Sequence, residues 1–84
     1  MKYDVPTAFT VHGKTVIVES EQLAAALLRL PEKRREVLFL RYYLGYSDAE
    51  IGKICGINRS TIFRRRKKAL HLMRKEMEAF ENEE

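Results

Sequence analysis

One cysteine, two prolines, four glycines and no tryptophan stand in 84 residues, and each scarcity removes a class of protein. A lone Cys cannot close a disulfide framework or a multi-cysteine metal site, which suits a reducing cytoplasm. No apolar run approaches the ~20 residues that span a bilayer. The opening Met1-Lys2-Tyr3-Asp4-Val5-Pro6 lacks the apolar region of a secretory signal. A soluble cytoplasmic protein with no membrane partner is therefore expected. His12 and His71 lie far apart, with no carboxylate or cysteine spacing that points to a metal. Ser47, Ser60 and Thr61 have no neighbouring base that would make them nucleophiles. No paired carboxylates sit in an apolar setting. The expectation is no enzyme, no cofactor and no metal.

Acids are missing from one particular place. The stretch "INRSTIFRRRKK", Ile57 to Lys68, carries six bases in ten positions and no Asp or Glu. Conversely, residues 76–84 hold Glu76, Glu78, Glu81, Glu83 and Glu84 and no base. The overall charge of +4 thus divides: the other 75 residues set all 16 Lys and Arg against 7 acids, a net of +9. A basic body with an acidic tail points to a polyanionic partner. Hydrophobic residues make up 45%, enough for one small domain with a single core and too many for a disordered chain.

What is present reads as helices behind a hairpin. Phe9, Val11, Val16 and Val18 alternate around His12-Gly13, the pattern of two short strands and a turn. The "HGKT" there ends like a phosphate-binding loop. Ala8 replaces the required earlier Gly, however, and no following helix opens, so a nucleotide site is rejected. Ser20 caps a helix carrying Leu23, Ala26, Leu27 and Leu30. Pro31 separates it from a second helix, Glu32 to Leu44, stopped by Gly45. Ser47 and Glu50 form a capping box for a short third helix, 48–55, closed by Gly56. Asn58 caps the last, 58–80. The expected division is 1–19 with the hairpin, 20–75 helical, and 76–84 as acidic tail.

Two helices separated by a turn of about three residues, with the second one basic, have the layout of a DNA-binding helix-turn-helix. Gly52 leaves room for the second helix to cross closely, and Gly56 turns the chain through the left-handed conformation. Ile51, Cys55, Ile57 and Ile62 are expected to fill the space between them, with Cys55 a small apolar core residue. At about 100° per residue, Ile62, Ala69 and Met73 define the buried stripe of the last helix. Ser60, Phe63, Arg64, Lys67 and Lys68 then face outward, while Arg65 and Arg66 flank the stripe.

The segment "LPEKRREVLFLRYYLGYSDAEIGKICGINRSTIFRRRKKAL", Leu30 to Leu70, closely resembles region 4 of the sigma-70 family of RNA polymerase sigma factors. The "NRSTIFRRR" stretch, the hairpin and the Glu-rich end are similar to small sigma-like regulators of Gram-positive integrative and conjugative elements. The resemblance implies a mainly helical domain that reads a −35-like promoter element in double-stranded DNA. It also implies a contact with the RNA polymerase β flap. Region 2 has no counterpart here, so a complete sigma factor is not expected. Arg59, Ser60, Phe63 and Arg64 match the positions from which the family touches base edges; Phe63 either meets a thymine methyl or simply packs. Thr61, Lys67 and Lys68 suit phosphates. Arg65 takes a phosphate or bridges an acid such as Glu50, and Arg66 receives no firm role. Phe39 and Tyr42 do not fit the inward face of their helix. They cover the hairpin, or they form an exposed patch for polymerase or a second subunit. A homodimer is a further expectation, because so small a module binds weakly alone. A protein-interaction module with incidental DNA binding is the alternative function.

Overall fold

Ser20, Ser47 and Asn58 each start a helix in the way their side chains allow. The chain, described here over residues 6–81 by a computed structural model, is built around those starts. Ser20 accepts a hydrogen bond from Leu23 N at 3.1 Å, opening α1 (Glu21–Arg29). Pro31 stands at the head of α2 (Glu32–Leu38). Ser47 and Glu50 cap one another's backbone at 3.1 and 2.9 Å, a reciprocal box that opens α3 (Asp48–Cys55). Asn58 accepts from Ser60 N at 2.7 Å and opens α4 (Arg59–Glu81). At Ser20, Ser47 and Asn58 a side-chain oxygen satisfies a backbone N–H that the first turn leaves without a partner.

Ahead of the helices, β1 (Thr7–Val11) pairs antiparallel with β2 (Lys14–Val18), Phe9 opposite Val16 and Val11 opposite Lys14. His12 and Gly13 both have positive φ, 48° and 78°, the two-residue turn whose twist matches that of the strands. Val11, Val16 and Val18 are buried. The alternation seen in the sequence therefore lays one face of the hairpin on the helices.

The second helix departs from expectation. It does not run as one α-helix to Leu44; from Phe39 to Tyr43 it widens into a π turn. Leu44 N donates to Phe39 O, and Tyr46 N reaches back to Leu40 O, both at 2.9 Å. Four successive residues, Val37 to Leu40, are buried. They are placed all round the helix because it runs between the hairpin and the other helices. Phe39 is 1% exposed, with the Phe9 ring 4.8 Å away and the Tyr43 edge at 5.5 Å. Of the two readings of Phe39, covering the hairpin is the one the packing takes. It forms no exposed patch; Tyr42, at 50% exposure, reaches the surface.

The acidic end is helical through Glu81, one residue past the expected end of the last helix. Residues 76–81 continue α4. Glu76 bonds Arg29 of α1 at 3.1 Å, and the Arg29 guanidinium lies over the Phe80 ring. The remaining acids, Glu83 and Glu84, lie outside the described residues, as do positions 1–5 of the N-terminal segment.

Candidate nucleic-acid interface

The turn between α3 and α4 is made by close backbone contact. Gly56 sits in the left-handed conformation, φ 69°, and Ile57 N donates to Gly52 O at 2.8 Å. A Cβ on Gly52 would lie 2.6 Å from the Ile57 carbonyl oxygen, so the glycine is required by the turn backbone itself. Ile51 and Ile62, both fully buried, lock the two helices together, and Cys55 and Ile57 pack partly buried against the same core.

That junction presents the first two turns of α4 to solvent. Arg59, Ser60, Phe63 and Arg64 are exposed and line one open concavity with Ser47, Asp48 and Ala49 at the start of α3. The residues matched to base-reading positions are therefore brought to one face. Arg64 donates to Thr61 Oγ1 at 3.3 Å, which holds its guanidinium along the helix. Phe63 is 47% exposed, with Arg66 and Lys67 cations 5.2 and 5.7 Å from its ring centre.

A second concavity gathers Thr61, Arg64, Arg65 and Lys68 with Arg34 of α2. Arg34 was not singled out in the sequence. The signal that would have found it is the surplus of bases at the start of the second helix, Lys33 to Arg35. Its neighbour Arg35 is used internally, reaching the Leu27 and Leu30 carbonyls at the end of α1 at 3.4 Å each.

Arg66 is the residue whose role the sequence left open. It grips Asp48 with two parallel bonds, Nε to Oδ1 at 2.9 Å and Nη2 to Oδ2 at 2.8 Å. Its Nη1 donates to the Tyr42 hydroxyl at 3.3 Å. Only 15% of the Arg66 side chain and 16% of the Asp48 side chain remain exposed. The Arg66 hydrogen bonds hold the Asp48 carboxyl below its usual range, against the opposing effect of partial burial. The same bond to Asp48 raises the guanidinium's pKa. The acid met by the basic run is thus Asp48, and it meets Arg66. Glu50, the suggested partner of Arg65, spends its carboxylate on the Ser47 backbone, which lowers its pKa.

Cys55 packs against the core as expected, partly buried, and also faces polar neighbours. Its sulfur lies 3.9 Å from His12 Nε2, and His12 Nε2 lies 3.4 Å from Glu36 Oε2. Burial, then the nearby Glu36 charge, push the thiol's pKa up, and Arg65 opposes them. His71, by contrast, is exposed on α4.

Among the described residues, no helix is long and apolar enough to cross a membrane. No match was found among curated proteins. The family described as "Sigma-70, region 4" matches residues 20–73, from the cap of α1 through the helix-turn-helix to the last core methionine of α4. It is a DNA-binding regulatory family and not an enzymatic one. The chain belongs to the sigma-70 region 4 family.

Proposed function

We propose that this protein is a sequence-specific transcription regulator that inserts the first turns of α4 into the major groove of a −35-like promoter element. The observation that carries the reading is the division of the basic run. Arg66 is withdrawn into a bidentate pair with Asp48, while Arg59, Ser60, Phe63 and Arg64 share one exposed concave face. An incidental charged helix has no reason to separate its bases in this way. Arg59 and Arg64 read guanine, because the planar fork meets O6 and N7 together. Ser60 and Phe63 contact neighbouring base edges. Thr61, Arg65, Lys67 and Lys68, joined by Arg34, hold phosphates and set the register. The protein works in the cytoplasm on the nucleoid, and its setting is an integrative or conjugative element.

A second reading, contact with the RNA polymerase β flap or a sigma partner, rests on a different surface. Leu23, Leu27, Leu38, Leu70 and Met73 line a shallow apolar groove with Tyr42 and Tyr43 at its edge, and both tyrosines are exposed. The two activities are compatible, since Arg59 and Arg64 lie outside this groove.

Selection of bound sites from random duplex DNA, with and without polymerase, tests both. Enrichment of one motif by the protein alone, lost in Arg59→Ala and Arg64→Ala, is expected. Equal binding to all duplexes would overturn the base-reading role. Polymerase capture without any duplex binding at low salt would leave the interaction module as the function.

A further inference from the structure

Three potential metal ligands that are far apart in sequence meet at one point of the fold. His12 sits in the hairpin turn, Glu36 is half-buried near the end of α2, and Cys55 ends α3. One ligand atom from each, His12 Nε2, a Glu36 carboxylate oxygen and Cys55 Sγ, lies within 4.8 Å of the other two. We propose that His12, Glu36 and Cys55 form a site for a zinc-class divalent cation, with a fourth position open to solvent.

The geometry can be compared with what such an ion demands. Metal–ligand lengths of about 2.0–2.1 Å to nitrogen and oxygen and 2.3 Å to sulfur, at tetrahedral angles, set N···S near ~3.6 Å and N···O near ~3.3 Å. The protein holds the corresponding atoms at 3.9 Å and 3.4 Å. The third edge, Cys55 Sγ to the Glu36 carboxylate, is held only within 4.8 Å, so side-chain rotation of Cys55 and Glu36 has to draw it in to the ~3.6 Å that tetrahedral coordination sets. Without an ion, the single Nε2 of His12 has to serve both the Glu36 carboxylate and the Cys55 sulfur; a cation engages all three.

Ligand chemistry selects the ion. A thiolate beside an imidazole disfavours calcium and magnesium, which take oxygen, and suits zinc or cobalt. Thiolate and carboxylate together supply two negative charges for a divalent cation. On binding, the S–H bond breaks and its proton leaves to solvent as the metal–sulfur bond forms. His12 donates its Nε2 lone pair and carries its proton on Nδ1. The partial exposure of His12 and Glu36, 36% and 32% of their side chains, leaves a path for the ion and a water.

The site joins the hairpin to α2 and to the residue before Gly56, where the chain turns into α4. A bound ion therefore fastens the N-terminal hairpin to the brace of the helix-turn-helix, and holo protein gains thermal stability by mass action. This inference stands apart from the DNA-binding reading, since none of the three residues belongs to the proposed reading face.

Titration of the full, reduced chain with cobalt(II) tests it. At one equivalent we expect a thiolate-to-cobalt charge-transfer band with the visible bands of four-coordinate cobalt, and displacement of both by zinc. Cys55→Ser and Cys55→Ala should each abolish the charge-transfer band. His12→Asn, which tolerates the positive φ of the turn, and Glu36→Gln should each weaken binding at least ~10-fold, the lower end of what loss of an outer-shell partner already costs. His71→Asn should change nothing. Circular dichroism of the metal-free variants checks that they fold, and His12→Asn and Glu36→Gln keep the test alive if Cys55 proves structurally intolerant. Absence of a charge-transfer band at stoichiometric cobalt would overturn the site. So would a band that survives His12→Asn unchanged.

Discussion

Arg66 and Asp48 form a partly buried pair in which geometry matters more than charge. A bidentate bond fixes α4 against the start of α3, and the Tyr42 hydroxyl completes the guanidinium's partners. Arg66→Ala should therefore destabilise the fold by about 1–3 kcal/mol, between exposed and fully buried pairs, as read from urea denaturation. It should lower DNA affinity only in step with the loss of folded protein. The pair also sets a pH limit. Asp48 titrates below its ordinary range in the folded chain, so its contribution is full above the unfolded value of about 3.9. That contribution is lost as pH falls through the lower folded value. Asp48→Asn should flatten the acid limb of the stability–pH curve; an unchanged limb would remove the pair from that role. Gly52 is the other residue with no latitude. Gly52→Ala places a methyl against a backbone oxygen, and overpacking of that kind costs about 1–3 kcal/mol. The shift should appear both in Tm and in loss of specific binding, since the turn angle sets the direction of α4.

At the scale of elements, α4 performs two tasks along its length. Its first turns offer bases to solvent, while Ala69 and Met73 are buried in the core and Glu76 returns to Arg29 of α1. The proposed readers and holders within it are separable by experiment. Arg59→Ala or Arg64→Ala should each cost about 1–3 kcal/mol on the preferred site and relax specificity there. Lys68→Ala should weaken all duplexes alike; competition binding against scrambled sites makes the distinction. The π turn is the element that decides the hairpin's position, because it delivers Phe39 to Phe9. Phe39→Ala should cost about 3–5 kcal/mol as a large core truncation. A surface contact residue at that position would instead leave urea stability unchanged. Caps, strand alternation and the helix-turn-helix spacing were all legible from local sequence. The π turn was not, because widening a helix by one residue per turn leaves no local signature in a stretch such as Phe39-Leu40-Arg41-Tyr42-Tyr43, which suits an ordinary α-helix equally well.

At the scale of the whole molecule, the charge asymmetry becomes a prediction about salt. Arg34, Arg65, Lys67 and Lys68 are four cations assigned to phosphates, so log K against log salt should fall with a slope of about −3 to −4. Lys68→Ala should reduce its magnitude by about 1. A slope near zero in a titration from low to moderate salt would mean that the cluster holds no backbone. The acids at the end of α4 do not offset these bases locally. Glu76 is paired with Arg29, at the far end of the helix from Arg59.

The amino-acid sequence by itself determined the starts of the helices, the hairpin turn, the close approach at Gly52 and the buried stripe of α4. Each of these is settled within a few residues, by a capping oxygen, a missing Cβ or a helical period. It also carried the family, because the helix-turn-helix signal is a spacing. The tertiary structure alone decided three things. Arg66, one base among six, is withdrawn by an acid 18 positions earlier. Arg34 joins Thr61, Arg64, Arg65 and Lys68 in one concavity from another helix. His12, Glu36 and Cys55 converge from three elements. Such outcomes depend on which side chains are carried to the same point by separate elements, and no local period or spacing records that.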